Sequence, residues 1–226
     1  KAAGARVLAV CNTNSSTIPR ESDAVLYTHA GPEIAVASTK AFVTQIVAVY
    51  LIGLKLAQVR GELSEQEVRG LYQEMLELPG KVEQILETIE PLRELTRKFA
   101  TNNTVLFLGR GIEFPIALEG ALKLKELSYI HAEGFAAGEM KHGPIALIDP
   151  SVPVIAIAPS GPLFEKTASN VQEAAARGGR IMAFTDDLGA PRLRAGPVGI
   201  AIGPVDLGIG PGHRPLRTAL PIEPVA

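Results

Sequence analysis

The amino-acid sequence predicts an α/β protein with two doubly wound, parallel-sheet domains, the first incomplete, joined by a helical connector. Short apolar strands alternate with helices in two separate stretches of the chain, a pattern typical of parallel sheets covered on both faces. A charged, amphipathic segment without strand patterns separates these stretches. The predicted bounds are 1–62 for the first domain, 63–101 for the connector and 102–226 for the second domain, which we expect to lack its C-terminal end.

The first predicted domain contains two strands and a long helix. Residues 6–11 form a continuously apolar run, typical of a central parallel strand, and residues 24–28 form a second strand. A helix is predicted over 38–60, with Ser38 or Thr39 as its N-cap. Its apolar part, 42–57, is shorter than the ~20 residues that cross a bilayer, so we expect a buried core helix and no membrane partner.

The connector begins with a capping box formed by Ser64 and Glu67, and helical periodicity follows. In the second domain, strands are predicted at 105–108, 154–158 and 180–185, and helices at 115–129 and 163–177. Residues 132–141, rich in Gly and Ala, are expected to form a polar loop that leads to His142. The Gly- and Pro-rich stretch 189–215, with an edge strand at 198–202, suggests no chemistry.

Composition excludes several classes of protein. A net charge of −2 gives no indication of a nucleic-acid partner. The single cysteine, Cys11, cannot form an internal disulfide, which favours a reducing, cytoplasmic compartment. No metal site or cofactor is predicted, because the four histidines are widely separated along the chain: His29, His131, His142 and His213.

Three charged residues lie on one face of the helix predicted at 115–129. Glu119, Lys123 and Glu126 follow the spacing i, i+4 and i+7. They can form a solvated ion pair worth only ~0.3–0.5 kcal/mol. Alternatively, Glu126 is a carboxylate base and Lys123 stabilises the negative charge that develops when a proton is removed. Periodicity alone leaves both interpretations open.

A glycine turn precedes this helix. Gly109, Arg110 and Gly111 follow a predicted strand, so backbone N–H groups at the positive end of the helix dipole are exposed to an anion. The pattern is not a dinucleotide fingerprint, because Phe114 stands where a third glycine belongs. His142, further along, can exchange protons near neutral pH.

Three stretches together carry a specific resemblance. They are CNTNSSTIPRESD at 11–23, GPEIAVASTKAF at 31–42 and ALEGALKLKELSYIHAE…GEMKHGP at 117–144. They resemble the isomerase domain of the glutamine–fructose-6-phosphate aminotransferase family, which consists of two SIS (sugar isomerase) domains. The resemblance covers residues 1 to about 187 and implies conversion of fructose 6-phosphate to glucosamine 6-phosphate in amino-sugar biosynthesis.

The resemblance also implies roles for particular residues. Glu126, in the KLKE motif, would move a proton from C1 to C2 of the sugar, and Lys123 would lie near the reacting carbons. His142, in the KHGP motif, would assist ring opening and reach the active site of the neighbouring subunit of a homodimer. The residues implied to contact the sugar phosphate are Val36, Ala37 and Ser38.

Other parts of the family pattern are absent from the 226 residues. They are a Ser/Thr-rich phosphate loop, expected before Lys1, and a Schiff-base lysine, expected after Ala226. The third absent part is the glutaminase domain, which would be a partner within the same polypeptide. We therefore expect the 226-residue chain alone to be inactive. Two alternatives remain: another SIS phosphosugar isomerase or deglycase, and a non-catalytic sugar-phosphate-binding module.

Overall fold

A computed structural model describes residues 1–87, 89–97, 99–186, 189–194 and 200–202. The chain forms two compact units, Lys1–Gln73 and Glu74–Ala226. Both contain parallel sheets combined with helices, so the predicted α/β class is confirmed.

The first unit contains a two-stranded parallel sheet. Strand β1 (Leu8–Cys11) pairs with β2 (Ala24–Tyr27), and the short helix α1 (Thr17–Glu21) connects them. Both strands were predicted. The expectation of a central, buried strand is wrong for β1: only Ala9 is buried, and Leu8 is half exposed, because β2 is its sole strand partner among the described residues.

Helix α2 (Lys40–Arg60) follows the sheet and is 21 residues long. By length and composition it could cross a membrane, although one such helix is weak evidence for a membrane span. The expectation of a buried core helix is wrong for this unit, in which only Ala48 and Leu54 of α2 are buried. A sheet of two strands is too small to cover such a helix, so several of its large apolar side chains remain exposed.

Three helices follow: α3 (Glu65–Leu76), α4 (Leu78–Glu87) and α5 (Ile89–Arg97). The predicted capping box is confirmed at the start of α3. The Ser64 backbone N–H donates to Glu67 at 2.7 Å, and the Glu67 backbone N–H donates to the Ser64 hydroxyl at 3.3 Å. The bounds given to the connector and the two domains stay a prediction.

The second unit is built on a five-stranded parallel sheet in the order β4-β3-β5-β6-β7. The strands are β3 (Thr104–Gly109), β4 (His131–Ala136), β5 (Pro153–Ile157), β6 (Arg180–Phe184) and β7 (Ile200–Ile202). The helices that connect them are α6 (Glu113–Ser128), α7 (Phe164–Ala176) and α8 (Ala190–Arg194). Strand β7 confirms the predicted edge strand where it is described; the rest of 189–215 lies largely outside the described residues.

Hydrophobic side chains cover both faces of this sheet. Alternate residues of β3 point to opposite faces, as the two-residue period of a strand requires. Val105 and Phe107 pack with α6, while Leu106 and Leu108 pack with α7 and α8 in a larger cluster. The sheet is therefore doubly wound, with a core on each face.

The segment 132–141 is not the polar loop that its composition suggests. Residues His131–Ala136 form the edge strand β4, and Ala137–His142 form a 3-10 helix, followed by a second 3-10 helix at Pro144–Leu147. Gly134 and alanines have low strand propensity, so no strand was predicted. Glycine is needed here because a Cβ on Gly134 would lie within 3.1 Å of the Leu118 backbone on α6.

Candidate active site

The carboxylate and ammonium groups on α6 form one cluster. Lys123 Nζ lies 3.0 Å from Glu119 Oε1 and 3.2 Å from Glu126 Oε2. The prediction that these residues share one face is therefore confirmed. All three side chains are only partly exposed: 22% for Glu119 and Lys123, and 34% for Glu126. The carboxylate of Glu126 is thus held by a neighbouring cation while it stays accessible from solvent.

The ammonium of Lys123 is shared by two carboxylates. The hydrogen bond to Glu119 and, after it, the bond to Glu126 hold the pKa of Lys123 above its usual value, against partial burial, which lowers it. Lys123 therefore stays cationic throughout the neutral range. A fixed positive charge beside Glu126 can stabilise an enolate-like oxygen or an ionised base.

His142 forms a second pair, with Glu139. Its Nδ1 lies 2.7 Å from Glu139 Oε2, at i,i+3 spacing on the first 3-10 helix. An ionised carboxylate only accepts hydrogen bonds, so Nδ1 carries the proton and Nε2 is the atom left to act on another molecule. Both side chains are about 70% exposed. Glu139 was assigned no role from the sequence; its i,i+3 spacing to His142 was the available signal.

The two pairs lie on opposite faces of the second unit's sheet. Helix α6, which carries Glu126, packs against Val105 and Phe107 on one face. The 3-10 helix that ends at His142 packs through Met140 into the cluster of Leu106 and Leu108 on the other face. The sheet therefore lies between Glu126 and His142 of one chain, and they are not brought together.

Val36, Ala37 and Ser38 lie in the first unit, in the loop between β2 and α2. Val36 is exposed, Ala37 is buried and Ser38 is half-buried. The prediction that Ser38 or Thr39 is the N-cap of α2 is confirmed for Thr39. Thr39 occupies the N-cap position, but its side chain makes no capping bond to the helix.

Glu33 caps α2 from outside the helix. Its carboxylate accepts hydrogen bonds from the Thr39 and Ala41 backbone N–H groups, at 3.2 and 3.1 Å, and from the Thr39 hydroxyl at 3.1 Å. The bond from Ala41 is the main reason that the pKa of Glu33 lies below its usual value. This residue was missed, because a cap six to eight residues away leaves no local spacing to read. It closes the loop 34–38 against the helix.

We expect Glu33→Gln to lower the thermal stability of the first unit at neutral pH. A depressed folded pKa stabilises the fold above the unfolded pKa, and this stabilisation is lost as pH falls through the folded pKa. Melting curves of the complete protein that contains this chain should therefore separate the variant from the wild type near pH 7 and converge only when the pH falls below the depressed pKa of folded Glu33. Glu21→Gln is the control, since the Glu21 side chain has no hydrogen bond or ion pair among the described residues. A gap that persists unchanged in acid would contradict this role.

A crevice of about 440 Å³ opens at the carboxyl ends of β3 and β5. Strand order reverses there, because β3 is flanked by β4 on one side and β5 on the other. Its lining is mostly apolar, and it includes Glu113, whose Oε2 is buried without a hydrogen-bond partner in the described part of the chain. Gly111 of the predicted anion-binding turn lines the crevice, but Glu126, Lys123, His142 and residues 36–38 do not. Within the described ranges, no three His, Cys, Asp or Glu side chains are grouped so that they could hold a metal ion.

The fold and the α6 cluster define a parallel α/β protein with a carboxylate–ammonium pair on a helix that packs against the sheet. The sequence profile of the SIS domain family matches residues 1–55 and 98–202. The chain belongs to the SIS domain family.

Relatives give a more detailed comparison. The chain is 59% identical over 188 residues to the glutamine–fructose-6-phosphate aminotransferase (isomerizing) of Streptomyces coelicolor, covering 81% of this chain and 31% of the relative. The C-terminal domain of glucosamine-fructose-6-phosphate aminotransferase from Francisella tularensis is similar in structure, with a TM-score of 0.80 and 43% identity, covering 82% of this chain and 52% of that one. A glucosamine-6-phosphate deaminase from Thermotoga maritima has a TM-score of 0.56 and 25% identity, with 79% and 51% covered. The chain thus spans about a third of the length of the curated relatives it matches.

Proposed function

We propose that this chain is the isomerase part of a glutamine–fructose-6-phosphate aminotransferase. The complete enzyme would convert fructose 6-phosphate and glutamine to glucosamine 6-phosphate and glutamate. The observation that carries this proposal is the Glu119–Lys123–Glu126 cluster on α6, present in a chain that is 59% identical to an enzyme of that name.

The proposed chemistry moves a proton from C1 to C2. After the amino group has condensed with C2 of the open ketose and water has left, a base removes a proton from C1 while the imine nitrogen gains one, which gives an enolamine. The base then returns its proton to C2 while the C1 hydroxyl loses its proton, so the imine of a ketose becomes an amino aldose. Glu126 is proposed as this base, because its carboxylate is accessible and is held on a regular helix. Lys123 would stabilise the charge that develops on the substrate, because it stays cationic. The reaction requires no metal or redox cofactor.

His142 is proposed to open the sugar ring in the active site of a second copy of the chain. The sheet separates His142 from Glu126 within one chain, because α6 and the 3-10 helix that ends at His142 pack on opposite faces of it. A site that uses both residues must therefore combine Glu126 of one protomer with His142 of its partner. The protein would then be a homodimer with shared active sites.

The loop with Val36, Ala37 and Ser38 is proposed to bind the sugar phosphate. Anions bind well at helix N-termini, and this loop leads into α2. Glu33 already accepts hydrogen bonds from the N–H groups of Thr39 and Ala41. The phosphate contacts would therefore come from the Ser38 hydroxyl and the backbone of 36–38.

The remaining partners are also proposals. Because the chain spans 31% of its relative from Streptomyces coelicolor, we propose that the complete protein carries a glutaminase domain that supplies the amino group. Helix α2 lies largely within the matched SIS region, so we interpret it as a domain helix rather than a membrane span. We propose a cytoplasmic enzyme without a nucleic-acid or membrane partner.

Product analysis tests the function. The complete protein that contains this chain should form glucosamine 6-phosphate from fructose 6-phosphate and glutamine, with NMR following the appearance of the amino sugar. In the same preparation, light scattering should give the mass of a dimer. A protein that leaves fructose 6-phosphate unchanged, or that is a monomer at high concentration, would contradict the proposal.

The likeness to a glucosamine-6-phosphate deaminase supports a second candidate, in which the enzyme releases ammonia from an amino-sugar phosphate. The same assay distinguishes the two. A deaminase would release ammonia from glucosamine 6-phosphate, whereas a deglycase would release the amine from a fructosamine phosphate; neither would use glutamine. A non-catalytic module would bind the sugar phosphate and turn over neither substrate.

A further inference from the structure

The 3-10 helix Ala137–His142 is fixed to the second unit on its inner side. Ala137 and Met140 have no exposed surface and belong to the larger core cluster. His142 and Glu139 are on the exposed side of the same six residues. The direction in which His142 points therefore depends on how firmly this short helix is held.

Arg110 makes a close contact with this helix. Its guanidinium lies against Gly138, where an added Cβ would be 3.2 Å from both terminal nitrogens. The same guanidinium donates a hydrogen bond from Nη1 to Asn170 Oδ1 at 3.0 Å. Asn170 is on α7 and is only 7% exposed. Arg110 thus fills the space between the end of β3, α7 and the backbone of the 3-10 helix.

A second connection runs between α7 and the same helix. Asn170 Nδ2 lies 3.4 Å from Glu173 Oε2, and Glu173 Oε1 lies 2.7 Å from Lys141 Nζ. Lys141 is 58% exposed, and ion pairs at such positions contribute little. The bond from Arg110 to the buried Asn170 is charge-assisted and largely shielded from water, so it is the stronger of the two connections.

We propose that Arg110 is a positioning residue that fixes the 3-10 helix and thereby the Glu139–His142 pair. The role of His142 in this proposal rests on the proposed function. The contact between Arg110 and the 3-10 helix does not depend on that function. Arginine suits this position because its planar guanidinium can lie flat on the Gly138 backbone while it donates to Asn170. Glycine at 138 permits this close approach, because an added Cβ would force the guanidinium to shift by at least a few tenths of an ångström.

Hydrogen exchange of the complete protein that contains this chain tests the contact directly. Arg110→Met keeps most of the side-chain length and removes the guanidinium. Backbone amides of 137–142 should then exchange about tenfold faster or more, the scale expected when a hydrogen bond to a charged group is lost. Arg177→Met is the matched control: Arg177 is an exposed cation at the end of α7, and exchange in 137–142 should not change. Unchanged exchange in the Arg110 variant would overturn the proposal.

A second variant leaves Arg110 in place. Gly138→Ala should displace the guanidinium and accelerate the same amides, whereas Gly161→Ala should not, because no atom lies within 4 Å of a Cβ on Gly161. If Arg110→Met fails to fold, the comparison of Gly138→Ala with Gly161→Ala tests whether the guanidinium holds the 3-10 helix. Wild-type exchange in Gly138→Ala would show that the guanidinium does not hold the helix.

Measurements of kcat and KM test whether the contact between Arg110 and the 3-10 helix affects the reaction. Arg110→Met should lower kcat more than it changes KM, because the phosphate is bound elsewhere. In a His142→Asn background, Arg110→Met should cause no further loss, since the two residues then act in one step. If His142→Asn turns over at the wild-type rate, the proposed role of His142 is wrong, while faster exchange in Arg110→Met still supports the contact. Additive losses in the double variant would contradict positioning through His142.

Discussion

Glu126→Gln is expected to abolish most of the exchange of the C1 proton of fructose 6-phosphate with solvent deuterium. Glutamine keeps the size of the side chain and can still accept a hydrogen bond from Lys123, but it cannot take up a proton. We expect a loss of ~10²-fold or more in the complete protein, the usual scale for removing a positioned general base. NMR of the C1 proton in deuterated buffer measures this exchange directly.

The other activities of the same protein provide internal controls. Glutamine hydrolysis should be unchanged, because the glutaminase domain is proposed to carry out that chemistry. Affinity for the sugar phosphate should change little, because the phosphate and not C1 anchors the substrate. A variant that loses all three activities would indicate misfolding, so proton exchange is interpreted only when glutamine hydrolysis is retained.

Glu119→Gln separates the two interpretations of the α6 cluster. Both carboxylates contact the same ammonium, at 3.0 and 3.2 Å, so both variants remove one half of the ion pairing. If Glu126 is the base, proton exchange should fall much further in Glu126→Gln than in Glu119→Gln. If both variants exchange the proton at the wild-type rate, the cluster is a surface ion pair and Glu126 is not the base.

The sequence predicted those parts of the fold that depend on local patterns. Strands β1, β2, β3, β5 and β6 and helices α2, α6 and α7 were predicted because continuous apolar runs and helical periodicity are properties of neighbouring residues. Strand β4 was missed because its residues are small and polar. It forms through pairing with β3, and Gly134 permits α6 to lie close to it.

The candidate site, like the fold, could be predicted only where it depends on a local sequence pattern. The shared face of Glu119, Lys123 and Glu126 follows from helical spacing, and the resemblance to a known family suggested its role. Glu33 and Arg110 could not be found in this way. Glu33 contacts amides six to eight residues away, and Arg110 contacts Asn170 sixty residues away. Contacts of this kind depend on the tertiary structure and have no periodic signature.

Gly109→Ala is expected to destabilise the second unit severely. Gly109 is the last residue of β3, and an added Cβ would lie 2.2 Å from the Glu113 carbonyl oxygen and 2.7 Å from the Phe114 backbone nitrogen. These are backbone atoms in the first turn of α6, so no side-chain rotation can relieve the clash. The helix would have to move away from the sheet, although its own residues Ala117 and Ala121 are almost fully buried against β3.

We expect a loss of about 3 kcal/mol or more, at the upper end of the range for overpacked cores. Native-state hydrogen exchange of the β3 amides in the complete protein measures this loss without assuming that all domains unfold together. The β3 amides should exchange about a hundredfold faster than in the wild type, since ~1.4 kcal/mol corresponds to a factor of ten.

Gly161→Ala is the matched control for this prediction. Both glycines lie at the carboxyl edge of the same sheet, since Gly109 is the last residue of β3 and Gly161 follows β5. A Cβ on Gly161 would meet no atom within 4 Å, so the alanine should leave β3 exchange unchanged or slow it slightly by restricting the unfolded chain. If Gly109→Ala exchanged like Gly161→Ala, α6 would not approach β3 as closely as the structure places it, and the position of the Lys123–Glu126 pair over the sheet would have to be revised.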